Sequence, residues 1–282
     1  MANQVNGKKG NGQLGALTGY FLEVDILVPT NRVHDFETAV KSFLKKTTSK
    51  NGKLPQPFTR LVEDATITFV LGLRTPAFTY ESRKVIRPGY IHQTNRDLKG
   101  GTRMRRYVHI WSVPDLEASN LVQVMQRSAD DPFYIAIDKE VARETQDFVY
   151  QVQWPLLVPS GTAALAVPRS TRNSIAFVRT IHQYASSDLG TALFKLGSSF
   201  PVMSQANCTA VGTFQSVTGT LDSVTQYWRI PGTPERALRT YEAARKRISS
   251  RIRAVDFSSL HEGRSRIRID EAFEVADYSP SV

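Results

Sequence analysis

Cysteine is almost absent: Cys208 stands alone among 282 residues, which excludes an internal disulfide and any multi-cysteine metal site. A single Cys between Asn207 and Thr209 reads as a small buried filler rather than a nucleophile. Long apolar runs are missing too. None approaches the ~20 residues that a membrane-spanning helix needs, and the first residues lack the apolar stretch of a secretory signal. No membrane span and a cytoplasmic location are therefore expected. The G-x-S-x-G elbow, the H-E-x-x-H zinc helix and the P-loop are all lacking, and His34, His92, His182 and His261 are too scattered to argue for a metal site. Neither a metal nor another cofactor is expected. Acidic residues are in short supply, 26 against 36 Lys plus Arg, and the formal charge of +10 attracts acidic metabolites, nucleic acid and anionic surfaces without choosing among them.

What is present is an ordinary hydrophobic share of 41%, enough for one or two well-cored units. Residues 1–17, rich in Asn, Gly and Gln, have little apolar surface to repay ordering and read as a flexible tail.

The chain repeats itself. Tyr107-Val108-His109-Ile110-Trp111-Ser112-Val113-Pro114 aligns with Val224-Thr225-Gln226-Tyr227-Trp228-Arg229-Ile230-Pro231, both β-rich, with Trp at the same place and Pro three residues later. A helix follows each. The second starts at the Thr233 cap and Pro234, and Leu238, Tyr241, Ile248, Ile252 and Val255 recur at helical spacing. The first starts at Asp115, and another helical stretch from Pro132 leads to a strand near 148–152.

Upstream of each Trp strand the same order recurs: strand, helix, strand with a glycine. These are 20–28, 33–44 and 65–73 in the first copy, and 175–184, 188–196 and 209–217 in the second. Each copy reads β-α-β-β-α with a returning strand, near Val149 in one and over 267–275 in the other. The copies span 18–157 and 174–282, joined by a Pro- and Ser-containing linker at 158–173. A basic insertion over 76–106 interrupts the first.

The run from Gly212-Thr213-Phe214-Gln215 through Gln226-Tyr227-Trp228, with Phe177-Val178-Arg179-Thr180 as first strand, resembles the NIPSNAP family over roughly residues 173–278. The first half shares only the Trp strand and its helix. The resemblance implies an α+β fold: two tandem ferredoxin-like domains forming an intramolecular dimeric α+β barrel. The wider superfamily includes cofactor-free quinone-forming monooxygenases, haem-handling enzymes, lactone isomerases and binding proteins. It therefore implies no single reaction.

Strand alternation puts Tyr107, His109, Trp111 and Val113 on one face, which we expect to line the barrel interior, with Val224, Gln226, Trp228 and Ile230 as the matching set. His109 is the candidate general acid/base, because only His titrates near neutrality without a large shift. Tyr107, Trp111, Gln226 and Trp228 would contact a ligand. Glu23 and Asp25 share a face of the first strand, and Arg179 holds the related place in the second copy. Across a barrel these would form a buried ion pair or an acid/base group, and on an exposed edge strand neither. In the insertion, Tyr90, His92 and Arg106 would meet an anionic ligand if the segment is a lid, and would do nothing specific if it is a solvated, mobile arm.

Three functions follow. The leading one is a small-molecule-acting barrel, a cofactor-independent monooxygenase, cyclase or isomerase working on an aromatic or polycyclic acidic metabolite. The second is a nucleic-acid or anionic-surface binder, and the third a structural or assembly protein that pairs as a homo-oligomer.

Overall fold

β-branched and aromatic residues gather into short runs that the computed structural model shows as strands of one sheet. The structure describes residues 19–47, 68–76, 104–113, 150–151, 156–159, 165, 167–184, 189–217, 222–251 and 267–280. Among these are nine strands: β1 (Tyr20–Pro29), β2 (Thr68–Arg74), β3 (Met104–Val113), β4 (Tyr150–Gln151), β5 (Leu156–Pro159), β6 (Ile175–Gln183), β7 (Thr209–Ser216), β8 (Ser223–Pro231) and β9 (Ile267–Val275). The α-helices are α1 (Val33–Thr47), α2 (Leu189–Ser198), α3 (Phe200–Gln205) and α4 (Pro234–Arg251). The 1–17 tail, the helices read from Asp115 and Pro132, and the insertion between 77 and 103 lie outside the described residues.

The sheet closes on itself. Its order is β3-β2-β9-β6-β8-β7-β5-β1-β4, and β3 pairs again with β1. β4 and β5 lie end to end along the same edge of β1, one against Ile26 and Leu27 and the other against Phe21 and Leu22. All the pairings are antiparallel. Within the first half the order is β5-β1-β3-β2, and within the second β9-β6-β8-β7. The seams are β2 to β9 and β7 to β5, so each half closes the other. This is the expected α+β architecture of two ferredoxin-like units forming a dimeric α+β barrel within one chain. A closed barrel leaves no long edge for stray pairing.

Equivalent positions carry equivalent irregularities. The register of β2 against β3 shifts between Phe69 and Leu71, and that of β7 against β8 between Ala210 and Gly212. Both bulges fall beside the residue that faces a Trp, Phe69 with Trp111 and Ala210 with Trp228.

Register decides which face is inside, and it reverses one expectation. Glu23 and Asp25 of β1 pair with Ile110 and Val108, so those residues share the lumen, while Tyr107, His109, Trp111 and Val113 point outward. In β8, Tyr227 and Thr225 pair with Arg179 and Ile181 on the inner face, which leaves Val224, Gln226, Trp228 and Ile230 outside. The sets read as interior are thus the layer beneath the helices. Alternation could not reveal this, because β6 and β8 are buried on both faces nearly throughout.

The lumen is packed with Phe21, Phe177, Phe214, Phe273 and aliphatic residues from both halves. Leu165 and Val167 join this cluster although both belong to the segment read as a linker. That segment also contributes Val158 and Pro159 to β5, and a 3-10 turn over Arg169–Ser174. Arg105 and Arg106, assigned to the insertion from sequence, are part of β3.

Outside the second half, α4 buries Ala237, Tyr241, Ala244 and Ile248, a stripe at helical spacing, against Trp228, Ile230 and Met203. Thr233 Oγ1 accepts a long hydrogen bond from Arg236 N at 3.4 Å as the helix begins. Gly232 precedes it at φ +113°, which a residue with a Cβ adopts only with strain. Trp228 is 1% exposed and meets Phe200 edge-on at 5.5 Å. Its neighbours cannot collapse into the gap that its removal leaves. Trp228→Ala should therefore destabilise the fold by about 3–5 kcal/mol in urea unfolding; a loss below about 1 kcal/mol would mean that this layer is not a tight core.

Candidate functional site

Two buried polar centres lie on opposite faces of the sheet. The first is inside the barrel. Arg179 of β6 is fully buried, and its Nη1 donates to Glu23 Oε1 at 2.8 Å and to Asp25 Oδ1 at 2.9 Å. Its Nε donates to Glu271 Oε2 at 3.0 Å, and Nη2 bonds the same oxygen. Arg106 Nη2 donates to Asp25 Oδ2 at 2.5 Å, while its Nη1 reaches Glu271. Tyr227 Oη donates to Glu23 Oε2 at 2.6 Å. The Arg179 guanidinium also sits 5.1 Å from the Phe273 ring centroid.

Burial alone would lower the Arg179 pKa, but Asp25, Glu271 and Glu23 hold it well above its ordinary value, so it stays charged. Burial, reinforced by Glu23, pushes the Tyr227 phenol up, which keeps it a donor. Of the three readings of Glu23 and Asp25, the geometry is that of a buried ion pair. The donors of Arg179 are spent on three carboxylates rather than turned toward a ligand.

The second centre is a chamber between β2, β3 and α1 that aromatic side chains fill. His109 is fully buried, and its Nε2 lies 2.7 Å from Tyr278 Oη in a hydrogen bond whose donor depends on the imidazole tautomer. Around it stand Phe69, edge-on at 5.3 Å, and Phe36, stacked at 6.2 Å. Trp111 adjoins Phe69 at 4.8 Å, and Tyr107 adjoins Phe36 at 4.7 Å. Tyr107 Oη donates to Glu37 Oε1 at 2.9 Å, and Arg74 Nη1 donates to the same oxygen at 2.7 Å. Burial and Glu37 raise the Tyr107 pKa far above the usual phenol value.

Burial pushes the His109 imidazole down to about 3. That corrects the premise that it titrates near neutrality: in this apolar setting it enters any reaction as the neutral ring. Gln226, its counterpart in the second half, donates from Nε2 to Thr213 Oγ1 at 3.2 Å. Its neighbour Trp228 is walled by α3 and α4.

The eleven residues singled out from sequence therefore divide. Glu23, Asp25, Arg179 and Arg106 meet in the lumen; His109, Tyr107 and Trp111 meet in the chamber under α1; Gln226 and Trp228 lie under the second half's helices. Tyr90 and His92 fall outside the described residues. Sequence reasoning missed Glu271, Tyr227 and Tyr278. Glu271 had a signal, since it is the one acid in the alternation Ile267, Ile269, Glu271, Phe273, Val275. Tyr278 follows the end of β9 and had none.

No family model matches the chain, and no curated protein is similar to it in sequence. Among solved structures, it resembles a Fusobacterium nucleatum protein whose name provisionally makes it a monooxygenase, with a TM-score of 0.50 and 10% identity over 92% of this chain and 94% of that one. A Lactobacillus acidophilus protein similarly named matches at TM-score 0.47 and 7% identity, over 92% and 94% of the two chains. An anthrone oxidase-like protein matches at 0.44 and 12%, over 93% and 96%. At such identities the first of these shows the shared fold alone, a dimeric α+β barrel over nearly the whole length of both chains.

Two outcomes follow from the buried groups. Arg179→Met leaves three carboxylates without their shared cation and should cost roughly 3–5 kcal/mol in urea unfolding, with Arg179→Lys between it and the wild type. A value under about 1 kcal/mol would show that the network does not hold the halves together. His109 is depressed from 6.5 to about 3 on folding, so the unfolded chain binds more protons between those values. The stability is fully present above the unfolded pKa and is lost as pH falls toward the folded one, by on the order of 1 kcal/mol per pH unit. His109→Gln should flatten this slope between pH 7 and pH 5.

Proposed function

We propose that this protein is a small-molecule-acting barrel enzyme whose own side chains carry the chemistry, of the cofactor-independent monooxygenase, cyclase or isomerase type. Its substrate is an aromatic or polycyclic acidic metabolite. One observation carries this reading: His109, with the Tyr278 hydroxyl at hydrogen-bond distance from Nε2, is enclosed by Phe36, Phe69, Tyr107 and Trp111. Such a chamber suits a planar ring with one polar anchor. His109 then serves as a hydrogen-bonding group that positions and polarises the substrate, while its low pKa excludes it as a stored proton at neutral pH. The fold shared with the Fusobacterium nucleatum protein provisionally named a monooxygenase supports the class by analogy. The division into copies at 18–157 and 174–282, with a 1–17 tail and a 158–173 connection, and the NIPSNAP-like reading of the second copy belong to the same proposal. So does a cytoplasmic location.

The packed lumen favours a second reading, a structural or assembly protein, since a filled barrel needs no ligand. The anionic-surface reading has less support. On α4, exposed Arg236, Arg239, Lys246 and Arg247 alternate with exposed Glu235 and Glu242, placed for i,i+4 pairing with Arg239 and Lys246 rather than as a phosphate track.

The deciding experiment incubates the full-length protein in air with a panel of hydroxyaromatic carboxylic acids and follows products by mass spectrometry, with native mass spectra for bound adducts. Turnover that drops at least about tenfold in folded His109→Gln supports the enzyme reading. Neither product nor adduct across the panel would leave the structural one.

A further inference from the structure

The chamber over His109 is closed by the chain itself. After β9, residues 276–280 cross β2 at Gly72: Ala276 N donates to Gly72 O at 2.9 Å, and Gly72 N donates to Ser279 Oγ at 3.0 Å. The crossing turns Tyr278 inward. Its ring lies nearly parallel to Phe69 (6.3 Å, 29°) and to Tyr107 (6.5 Å, 26°), and edge-on to His109 (5.5 Å, 83°). Only a glycine permits this approach, because a Cβ on Gly72 would stand 2.9 Å from Tyr278 Cε2. A phenol is thus held by flat aromatic neighbours and by one imidazole bond to its hydroxyl.

What fastens the strap lies largely outside the chamber. Arg172 Nη1 donates to Asp277 O at 2.8 Å and Arg172 also bonds Ser279 O. The Asp277 carboxylate, about half exposed, makes long ion pairs with Arg74 at 3.6 Å and Lys41 at 3.7 Å. Exposed pairs of this kind contribute little. The inner ties are two backbone-level hydrogen bonds and Tyr278 itself. The corresponding space in the second half is filled differently, by side chains of its own helices such as Tyr241, which bonds Thr180. Among the described residues, the first half is therefore the one where the occupant belongs to a strap and not to a helix.

We propose that Tyr278 is a built-in stand-in for the ligand: the chamber binds a hydroxyaromatic ring with its hydroxyl on His109 Nε2, and it does so when the 276–280 strap lifts Tyr278 away. This rests on the chamber being the ligand site and adds the substrate's phenolic character and the gate. Apparent affinity is then reduced by the fraction of molecules with the strap lifted, so loosening the strap tightens binding.

The test uses the full chain uniformly labelled with ¹⁵N. The probe is 4-methylphenol, the tyrosine side chain as a free molecule, with toluene as control. Expected is a shift of the His109 ring resonances with 4-methylphenol and not with toluene, together with faster exchange of the Ala276 amide. Arg172→Ala, which unties the strap and leaves the chamber unaltered, should strengthen 4-methylphenol binding by about tenfold. If that variant fails to fold, Ser279→Ala, which removes the bond to Gly72 N, serves the same purpose. A His109 shift with Ala276 still protected and no gain in either variant would overturn the gate while sparing the chamber as ligand site. His109 resonances unmoved in wild type and in the loosened variant would overturn both.

Discussion

Arg179 binds carboxylates from β1 and β9 at once, and the closed barrel depends on that convergence. Glu23 and Asp25 come from the first half, while Arg179 and Glu271 come from the second; Arg106 and Tyr227 cross back in opposite directions. Charges taken out of water are tolerated only when their partners are placed well, so the network is satisfied in one relative placement of the halves. It also distinguishes them. Register puts Glu23 and Arg179 at corresponding positions, facing Ile110 and Tyr227. Two identical first halves would set acid against acid, and two second halves guanidinium against guanidinium.

With the lumen committed to closure, the His109 cluster lies on the outer face. The strands that carry Trp111 and Trp228 turn these rings toward the helices, and what surrounds them differs between halves. In the second half, α3 and α4 seal the layer with Met203, Tyr241 and Ile248, and Gln226 is satisfied by Thr213. In the first, His109 lies among aromatic rings, and its hydroxyl partner arrives from beyond β9 across Gly72. The replacement of His by Gln in the repeat marks this asymmetry: one layer is core, and among the described residues the other is crossed by the 276–280 strap.

Much of this was legible beforehand. The repeated Trp strand located β3 and β8, the Thr233–Pro234 start located α4, and the returning strand of the repeat located β9 over Ile267–Val275. Glu23 and Asp25 on one face of β1, opposite an Arg in β6, anticipated the ion pair. The inner and outer faces of β3 and β8 came out reversed, because a strand covered on both sides carries apolar residues on both and shows no preferred direction. The short helix α3 was missed for want of periodicity over so few residues.

Local pattern, then, determined the elements, their order and the doubled plan of the fold, since strand and helix periods and their breakers act between near neighbours in the chain. The placement of charge and aromaticity was decided only in three dimensions. Register between β1 and β3 chooses which side of each strand is lumen, and the contact of Tyr278 with His109 spans 169 residues. Nothing in the chain near His109 records the low-dielectric cage that holds it neutral, because that cage is built by residues from α1, β2, β3 and the segment after β9.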